Sequence, residues 1–369
     1  MAPETTTLTA TCHCKSSTIS FTVPTDTLGH LKTHFCHCDI CRHTHGTLCT
    51  IHTPILEPTF NPESFTAYES SSHVTRWFCS TCGAHMVDRA MSASKDGEAA
   101  KQSWCVATSL VDADESIWAF DAHIFVGSTR DGGLATWLPG IGNKELKIWT
   151  KDRQNGDEDR GDWMQPLLSR RSSPSLGHGH GHAKGSTNEE EDKLHLKCHC
   201  GGIDLSISRP SSPSSFAPLP PSLIPANKRK WLACNDVCTT CRLVSGVAIV
   251  SWFFPATSHI TLTDGSPYRP EFGTAKVYRS SGDVTRTFCG RCGATVAYAC
   301  DDRPGMVDLG VGLVVVEGDE GEKGEGGASG VRAEEWLEWR TGKCSWEKDC
   351  RWKGVLKGFK EGMVGWSEG

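Results

Sequence analysis

The sequence lacks the signals of export and of membrane insertion. Its first ten residues, MAPETTTLTA, contain no basic segment followed by an apolar one, as a secretory signal would. No apolar run reaches the roughly 20 residues that a helix needs to cross a bilayer. An excess of positive charge is also absent, since the formal net charge is -6, and this argues against a nucleic-acid partner. We therefore expect a cytoplasmic protein in a reducing compartment, with no membrane partner.

What the sequence does contain is cysteine, at 19 of its 369 positions. An odd number of cysteines in a chain with no export signal argues against a disulfide framework. Most of these cysteines fall in C-x-C and C-x-x-C pairs. Close pairing of this kind is typical of metal ligands, so the cysteines predict metal binding.

An internal repeat organises the chain. Residues 68–84 read YESSSHVTRWFCSTCGA, and residues 278–294 read YRSSGDVTRTFCGRCGA. Upstream, TCHCKSSTISF from Thr11 matches KCHCGGIDLSI from Lys197, and FCHCDICRHTHG from Phe35 matches LACNDVCTTCRLVSG from Leu232. Because three blocks recur in the same order, the chain contains two copies of one unit. We place one domain at 7–149 and the other at 193–352.

Two segments have the composition of disordered chain. Residues 150–192 are rich in Asp, Glu, Ser, Gly and Arg, and we interpret them as a disordered linker. Their HGHGH tract fits a solvated linker better than a metal site. Residues 317–330 (EGDEGEKGEGGASG) resemble it in composition and predict a loop inserted in the second copy.

The local patterns favour strands. Residues 18–23, 247–254 and 274–278 are rich in β-branched or aromatic residues and are bounded by Gly, Pro, Ser or Asp. One short helix is predicted at 333–339. We therefore expect an all-β fold, mainly antiparallel, in two tandem domains.

The first copy contains seven paired thiols, which divide into four and three. Zinc in a closed structural site takes four ligands, whereas three protein ligands leave one position open for water or substrate. A C-x-C in a strand together with a C-x-x-C turn is a common way to build a closed site. We assign Cys12, Cys14, Cys79 and Cys82 to a closed site, and Cys36, Cys38 and Cys41 to an open one.

The second copy repeats the closed site but changes the open one. Its closed set is Cys198, Cys200, Cys289 and Cys292. Aligning Cys238 and Cys241 with the first copy puts Asp236 where Cys36 stands. Aspartate is a harder ligand that also binds zinc. Three interpretations stay open: Asp236 is a ligand, Cys234 replaces it, or the second open site is degenerate and holds no metal.

The motif order C-x-C, C-x-C-x-x-C-R and V-T-R-x-F-C-x-x-C-G resembles the glutathione-dependent formaldehyde-activating enzyme family, which also includes centromere protein V. The resemblance covers both copies. It implies tent-like antiparallel β domains, each with two zinc ions: a structural ion on the four cysteines and a second ion on the three-cysteine cluster.

The resemblance also implies an activity. The family's named reaction joins formaldehyde to glutathione, giving S-hydroxymethylglutathione, and is classed as a carbon–sulfur lyase reaction. A small thiol such as glutathione is then the expected partner, and Cys36, Cys38 and Cys41 are the expected catalytic residues. The alternative is a non-catalytic zinc scaffold, or a carrier of thiol or aldehyde without turnover.

No general base is fixed by the motifs. We interpret His43 and His45 as solvated loop residues, because the second copy has no histidine at either position. His37 lies between two ligands and is expected to point outward. His123 is expected to be a buried, hydrogen-bonded histidine rather than a ligand.

Two arginines recur in each copy. Arg42 and Arg242 follow the third cysteine, and we expect them to neutralise the anionic zinc–thiolate cluster. Arg76 and Arg286 precede the C-x-x-C turn, and we interpret them as paired surface or inter-strand residues.

The remaining cysteines and the C-terminal tryptophans are interpreted as packing residues. The cysteines in question are Cys49, Cys105, Cys300, Cys344 and Cys350, and the tryptophans are Trp336, Trp339, Trp346 and Trp352.

Overall fold

The computed structural model describes residues 4–92, 101–153, 158–159, 193–317 and 327–368. Most of the predicted linker at 150–192 and the middle of the predicted loop at 317–330 lie outside these residues. We call residues 4–159 the first copy and residues 193–352 the second copy. Among the described residues, no helix is both long and apolar enough to cross a membrane.

Two sheets form the first copy. A small antiparallel sheet has the order β1-β2-β5, and a nine-stranded sheet has the order β14-β13-β10-β3-β4-β9-β8-β7-β6. A separate hairpin joins β11 and β12. The strands are β1 (Thr5–Thr11), β2 (Thr18–Pro24), β3 (Leu31–Cys36), β4 (Thr50–Ile55), β5 (Thr59–Phe60), β6 (Phe65–Ser71), β7 (Val74–Cys79), β8 (His85–Met91), β9 (Gln102–Ala107), β10 (Trp118–Ile124), β11 (Gly140–Ile141), β12 (Lys144–Glu145), β13 (Lys147–Trp149) and β14 (Glu158–Asp159).

The second copy repeats this arrangement. Its small sheet is β15-β16-β19, and its large sheet is β20-β21-β22-β23-β18-β17-β24, which reproduces the order β6-β7-β8-β9-β4-β3-β10. The strands are β15 (Lys193–Lys197), β16 (Asp204–Ser208), β17 (Trp231–Asp236), β18 (Val250–Phe253), β19 (Ile260–Leu262), β20 (Ala275–Ser281), β21 (Val284–Cys289), β22 (Thr295–Cys300), β23 (Asp308–Gly310) and β24 (Leu337–Trp339). The predicted tandem β fold is confirmed.

Most strand pairs are antiparallel, as expected. The parallel pairs are β3 with β10, β10 with β13, and β17 with β24. The helix predicted at 333–339 is wrong, because β24 lies there and pairs with β17. Hydrogen bonding to a buried neighbouring strand outweighs the weak local preference of a short segment.

Short helices follow the open-site strands in both copies. Helix α1 (Asp39–His45) follows β3, and helix α2 (Thr239–Ser245) follows β17. Each is followed by a glycine with positive φ, Gly46 after α1 and Gly246 after α2. A Cβ at Gly46 would lie 1.9 Å from the carbonyl oxygen of Thr295, and one at Gly246 would lie 2.3 Å from that of His85. Each glycine thus lies close to the backbone of the other copy, and the two contacts are equivalent.

Hydrogen bonds across this interface repeat the same two-fold pattern. His13 Nδ1 lies 2.7 Å from the Tyr278 hydroxyl, and His199 Nδ1 lies 2.6 Å from the Tyr68 hydroxyl. Both histidines stand between two cysteines of a predicted closed site. One continuous cluster of buried residues includes side chains from both copies. The two domains therefore pack as an internal, isologous pair.

A C-terminal helix completes the fold. Helix α3 (Lys353–Glu368) follows the predicted end of the second copy and packs on the first, against β11. Phe359 and Trp366 contact Trp137 of the first copy edge-to-face. This helix was not predicted from the sequence.

Candidate metal centres

Four cysteines of the first copy meet where β1 and β7 end. The sulfur atoms of Cys12, Cys14, Cys79 and Cys82 all lie within 4.8 Å of one another. The Cys12–Cys14 and Cys14–Cys79 sulfur pairs are 3.4 and 3.5 Å apart. Four sulfurs bound to zinc at about 2.3 Å stand about 3.8 Å apart in a tetrahedron, so the cluster fits a four-coordinate zinc ion.

The second copy builds the same cluster from Cys198, Cys200, Cys289 and Cys292. Its sulfur separations of 3.4 Å (Cys198–Cys200) and 3.5 Å (Cys200–Cys289) match those of the first copy. Gly293, at φ 81°, turns the chain back after the last cysteine, as Gly83 does in the first copy. Each copy therefore contains one four-cysteine cluster that could hold a metal ion.

The three remaining paired thiols of the first copy also converge. Cys36 ends β3, Cys38 caps the N-terminus of α1, and Cys41 lies in its first turn. Their sulfurs lie within 4.8 Å of one another, with Cys36 and Cys38 3.6 Å apart. The Cys38 sulfur accepts a hydrogen bond from the Cys41 amide. Three thiolates are one ligand fewer than the four that zinc takes in a closed site.

Arg76 lies directly beside this cluster. It is buried, so the interpretation as a surface residue is wrong, although the inter-strand pairing is correct. Its guanidinium donates to the Cys41 sulfur at 3.3 Å and to Ser70 Oγ at 3.1 Å, and forms an ion pair with Asp88. Hydrogen bonds from Cys36 and Cys38, together with the Arg76 charge, lower the pKa of Cys41 well below its usual range.

The second copy brings Asp236, Cys238 and Cys241 together in the same way. The Asp236 carboxylate accepts a hydrogen bond of 2.8 Å from the Cys238 amide. Cys234 instead lies 3.4 Å from Ser345 Oγ and is outside this cluster. Of the interpretations left open, the geometry favours Asp236 over Cys234 as the third donor.

Arg286 occupies the place of Arg76 in this copy. It donates to the Cys241 sulfur at 3.5 Å and to Ser280 Oγ at 3.0 Å. Both copies thus place a buried guanidinium against the last cysteine of the three-residue cluster.

Arg42 and Arg242 hydrogen-bond the backbone of the opposite copy, and their neutralisation of the clusters stays a prediction. Arg42 donates to the carbonyl oxygens of Gly312 and Val314 in the second copy. Arg242 donates to the carbonyl oxygen of Ser109 in the first copy. These two buried arginines therefore link α1 and α2 to the opposite copy by hydrogen bonds.

Several histidine expectations also change. His37 points inward and lies 2.9 Å from His123, with its Nε2 hydrogen-bonded to Nδ1. His123 is buried and hydrogen-bonded, as predicted.

His43 and His45 belong to α1 rather than to a solvated loop. His43 hydrogen-bonds the carbonyl oxygen of Lys197, and buried His45 stacks on His85 at 3.9 Å between ring centroids.

Of the residues interpreted as packing residues, Cys49, Cys344, Cys350, Trp336 and Trp352 are buried. Trp346 is not, with 67% of its surface exposed. Sequence spacing could not reveal this, and the backbone at Trp346 is left-handed (φ 59°).

A cavity of about 530 Å³ opens on the second copy's three-residue cluster. Trp346 lines it, together with the buried Asp308 and its ion-pair partner Arg303. Neither Arg303 nor Asp308 belongs to a repeated motif, so sequence reasoning did not single them out.

Comparison with known proteins gives one family match. The family model described as "Glutathione-dependent formaldehyde-activating enzyme" matches residues 7–128 and 225–322, together more than half of the chain. No curated protein matches the chain. A solved structure of a Rhodobacter sphaeroides protein is similar at 16% identity, covering 40% of this chain and 99% of that chain, with a TM-score of 0.23. At that score the similarity carries no argument, and the family match alone decides: the chain belongs to the glutathione-dependent formaldehyde-activating enzyme family.

Proposed function

We propose that this protein is a zinc-dependent enzyme of the carbon–sulfur lyase type, which joins formaldehyde to a small thiol such as glutathione. The observation that carries the proposal is the three-thiol cluster of Cys36, Cys38 and Cys41, whose sulfurs lie within 4.8 Å of one another and number one fewer than the four ligands of a closed zinc site. A purely structural site has no need of an open position. The family match supports the substrate pair.

A zinc ion bound by these three thiolates would stabilise the substrate thiol as its thiolate, the nucleophilic form. The thiolate sulfur then bonds to the carbonyl carbon of formaldehyde. The electron pair of the C=O π bond moves to the oxygen, which takes up the proton that the thiol lost. The thiol and formaldehyde thus combine into a single product, the S-hydroxymethyl adduct, and no group is released.

Arg76 has a defined part in this proposal. Three thiolates carry one negative charge more than a zinc ion neutralises, and a substrate thiolate adds another. The buried guanidinium of Arg76, which donates to the Cys41 sulfur, offsets part of this excess. Asp88, in ion-pair contact with Arg76, holds the guanidinium in position.

NMR exchange spectroscopy with glutathione and formaldehyde tests the proposal on the zinc-loaded full chain. We expect faster exchange between free and hydroxymethylated glutathione than in buffer. Cys38→Ser should return exchange to the uncatalysed rate while keeping the fold, because serine also caps α1. Cys105→Ser, at a half-buried thiol outside the clusters, is the matched control and should retain the acceleration.

No acceleration by the fully zinc-loaded wild-type chain would overturn the enzyme and leave a scaffold or carrier. Equal loss in Cys38→Ser and Cys105→Ser would show that the three-thiol cluster is not the site.

A further inference from the structure

We propose that the second copy is a binding site for thiol adducts of aldehydes that carry an aromatic or branched apolar group, and not a degenerate remnant. The inference rests on the proposed function for the thiol part of the ligand and goes beyond it for the aldehyde part. Its basis is the cavity of about 530 Å³ that reaches Asp236, Cys238 and Cys241. Pockets for drug-sized ligands span about 300–1,000 Å³, so this one has the size for a whole small-molecule adduct.

Part of the cavity lining is apolar. The apolar and aromatic residues that line it are Leu223, Trp252, Phe254, Val284, Tyr298 and Trp346. Trp252 and Phe254 are buried, whereas Trp346 is 67% exposed. An exposed tryptophan that lines the same cavity as buried aromatic rings offers a surface that an apolar ligand group would cover.

Strand register shows that two aromatic residues of this lining are particular to the second copy. Trp252 pairs with Cys234 in β17, as His52 pairs with His34 in β3, so Trp252 replaces His52. Tyr298 pairs with Arg286, as Asp88 pairs with Arg76. The second copy therefore has two aromatic rings where the first has an imidazole and a carboxylate.

The charged residues of the lining fit the thiol part of such an adduct. Asp308 is buried, and its ion-pair partner Arg303 lies 3.1 Å away with 20% of its side chain exposed. Arg286 contributes a second guanidinium beside Cys241. Charges of both signs beside a zinc-type cluster suit a zwitterionic thiol peptide, whose sulfur faces the cluster.

Two stable thioethers test this inference without turnover: S-benzylglutathione and S-methylglutathione. Isothermal titration calorimetry on the zinc-loaded full chain should show the benzyl compound binding roughly tenfold or more tightly, because burying a phenyl group stabilises the complex. Trp346→Ala should remove most of this preference and leave binding of S-methylglutathione unchanged. Leu56→Ala, at a first-copy residue 66% exposed, is the control and should change neither affinity.

A second variant gives the cavity of the second copy the histidine that the first copy has at the equivalent position, His52. Trp252→His should also abolish the benzyl preference, with circular dichroism to verify folding. Equal affinity for the two thioethers, no binding of either, or a benzyl preference that survives both variants would overturn the inference. The formaldehyde reaction is measured separately by NMR, so failure of that reaction with an intact benzyl preference would refute the enzyme and not the pocket.

Discussion

At the scale of single residues, the first copy holds several histidines away from water. His37, His45, His85 and His123 are all buried. Burial lowers the pKa of His85 to about 3 and that of His123 to about 4, and it lowers the pKa values of His37 and His45 well below the usual range. The folded protein thus holds these four side chains neutral.

This predicts a loss of stability in acid. Below the unfolded-state pKa of about 6.5, these histidines are protonated in the unfolded chain but stay neutral in the folded one. The difference persists until the pH approaches about 4. The free energy of unfolding should therefore fall as the pH falls from about 6.5 to about 4. Each buried histidine contributes roughly 1 kcal/mol per pH unit. Urea denaturation across this pH range measures the slope, with zinc release recorded in the same samples.

Variants separate the histidines from the metal sites. His85→Phe keeps an aromatic ring against His45 and should make the slope shallower by one histidine's share. His30→Gln, at an exposed position, should leave the slope unchanged. The same slope in all three proteins would contradict the explanation.

Residue by residue, the sequence predicted the clusters better than their surroundings. Each cysteine of the four clusters was found because spacing within a motif is local information. The guanidinium contacts of Arg76 and Arg42 could not be predicted, because they depend on which strand or which copy lies opposite. Asp236 was found only through the alignment of one copy with the other.

At the scale of elements, α3 depends on glycines spaced by four residues. Gly354, Gly358 and Gly362 lie on one face of the helix. A Cβ at Gly358 would lie 2.3 Å from the carbonyl oxygen of Gly140, and one at Gly362 would lie 2.2 Å from that of Trp137. The helix therefore approaches the first copy backbone to backbone.

Gly362→Ala should destabilise the protein by roughly 1–3 kcal/mol, because the methyl group must push the helix away from a fixed carbonyl group. Gly365→Ala on the same helix meets no atom within 4 Å and should be neutral or stabilising by up to about 1 kcal/mol. Chemical denaturation of both variants measures the difference. Equal effects of the two substitutions would contradict the close approach of α3.

The same glycines explain why α3 was not predicted. Glycine is a poor helix former, so four of them in 16 residues remove the local helix signal. The strand predictions at 18–23 and 274–278 succeeded because β-branched residues there also have a pairing partner. The helix prediction at 333–339 failed because the short segment has no clear local preference for helix or strand.

At the scale of the whole molecule, the repeat in the sequence becomes a repeat of strand order. The two large sheets share one order over seven strands, which the alignment of motifs implied. The manner of packing was not implied, since similarity between two copies gives no information on their contacts. The paired His13–Tyr278 and His199–Tyr68 hydrogen bonds tie each four-cysteine cluster to the opposite copy.

We propose four zinc ions in one chain, one on each four-cysteine cluster and one on each three-residue cluster. Native mass spectrometry of the purified full chain, with metal identity from plasma emission, tests it most directly. We predict four zinc ions per chain, and three in Cys38→Ser. Two ions per chain, or an unchanged count in Cys38→Ser, would contradict the account.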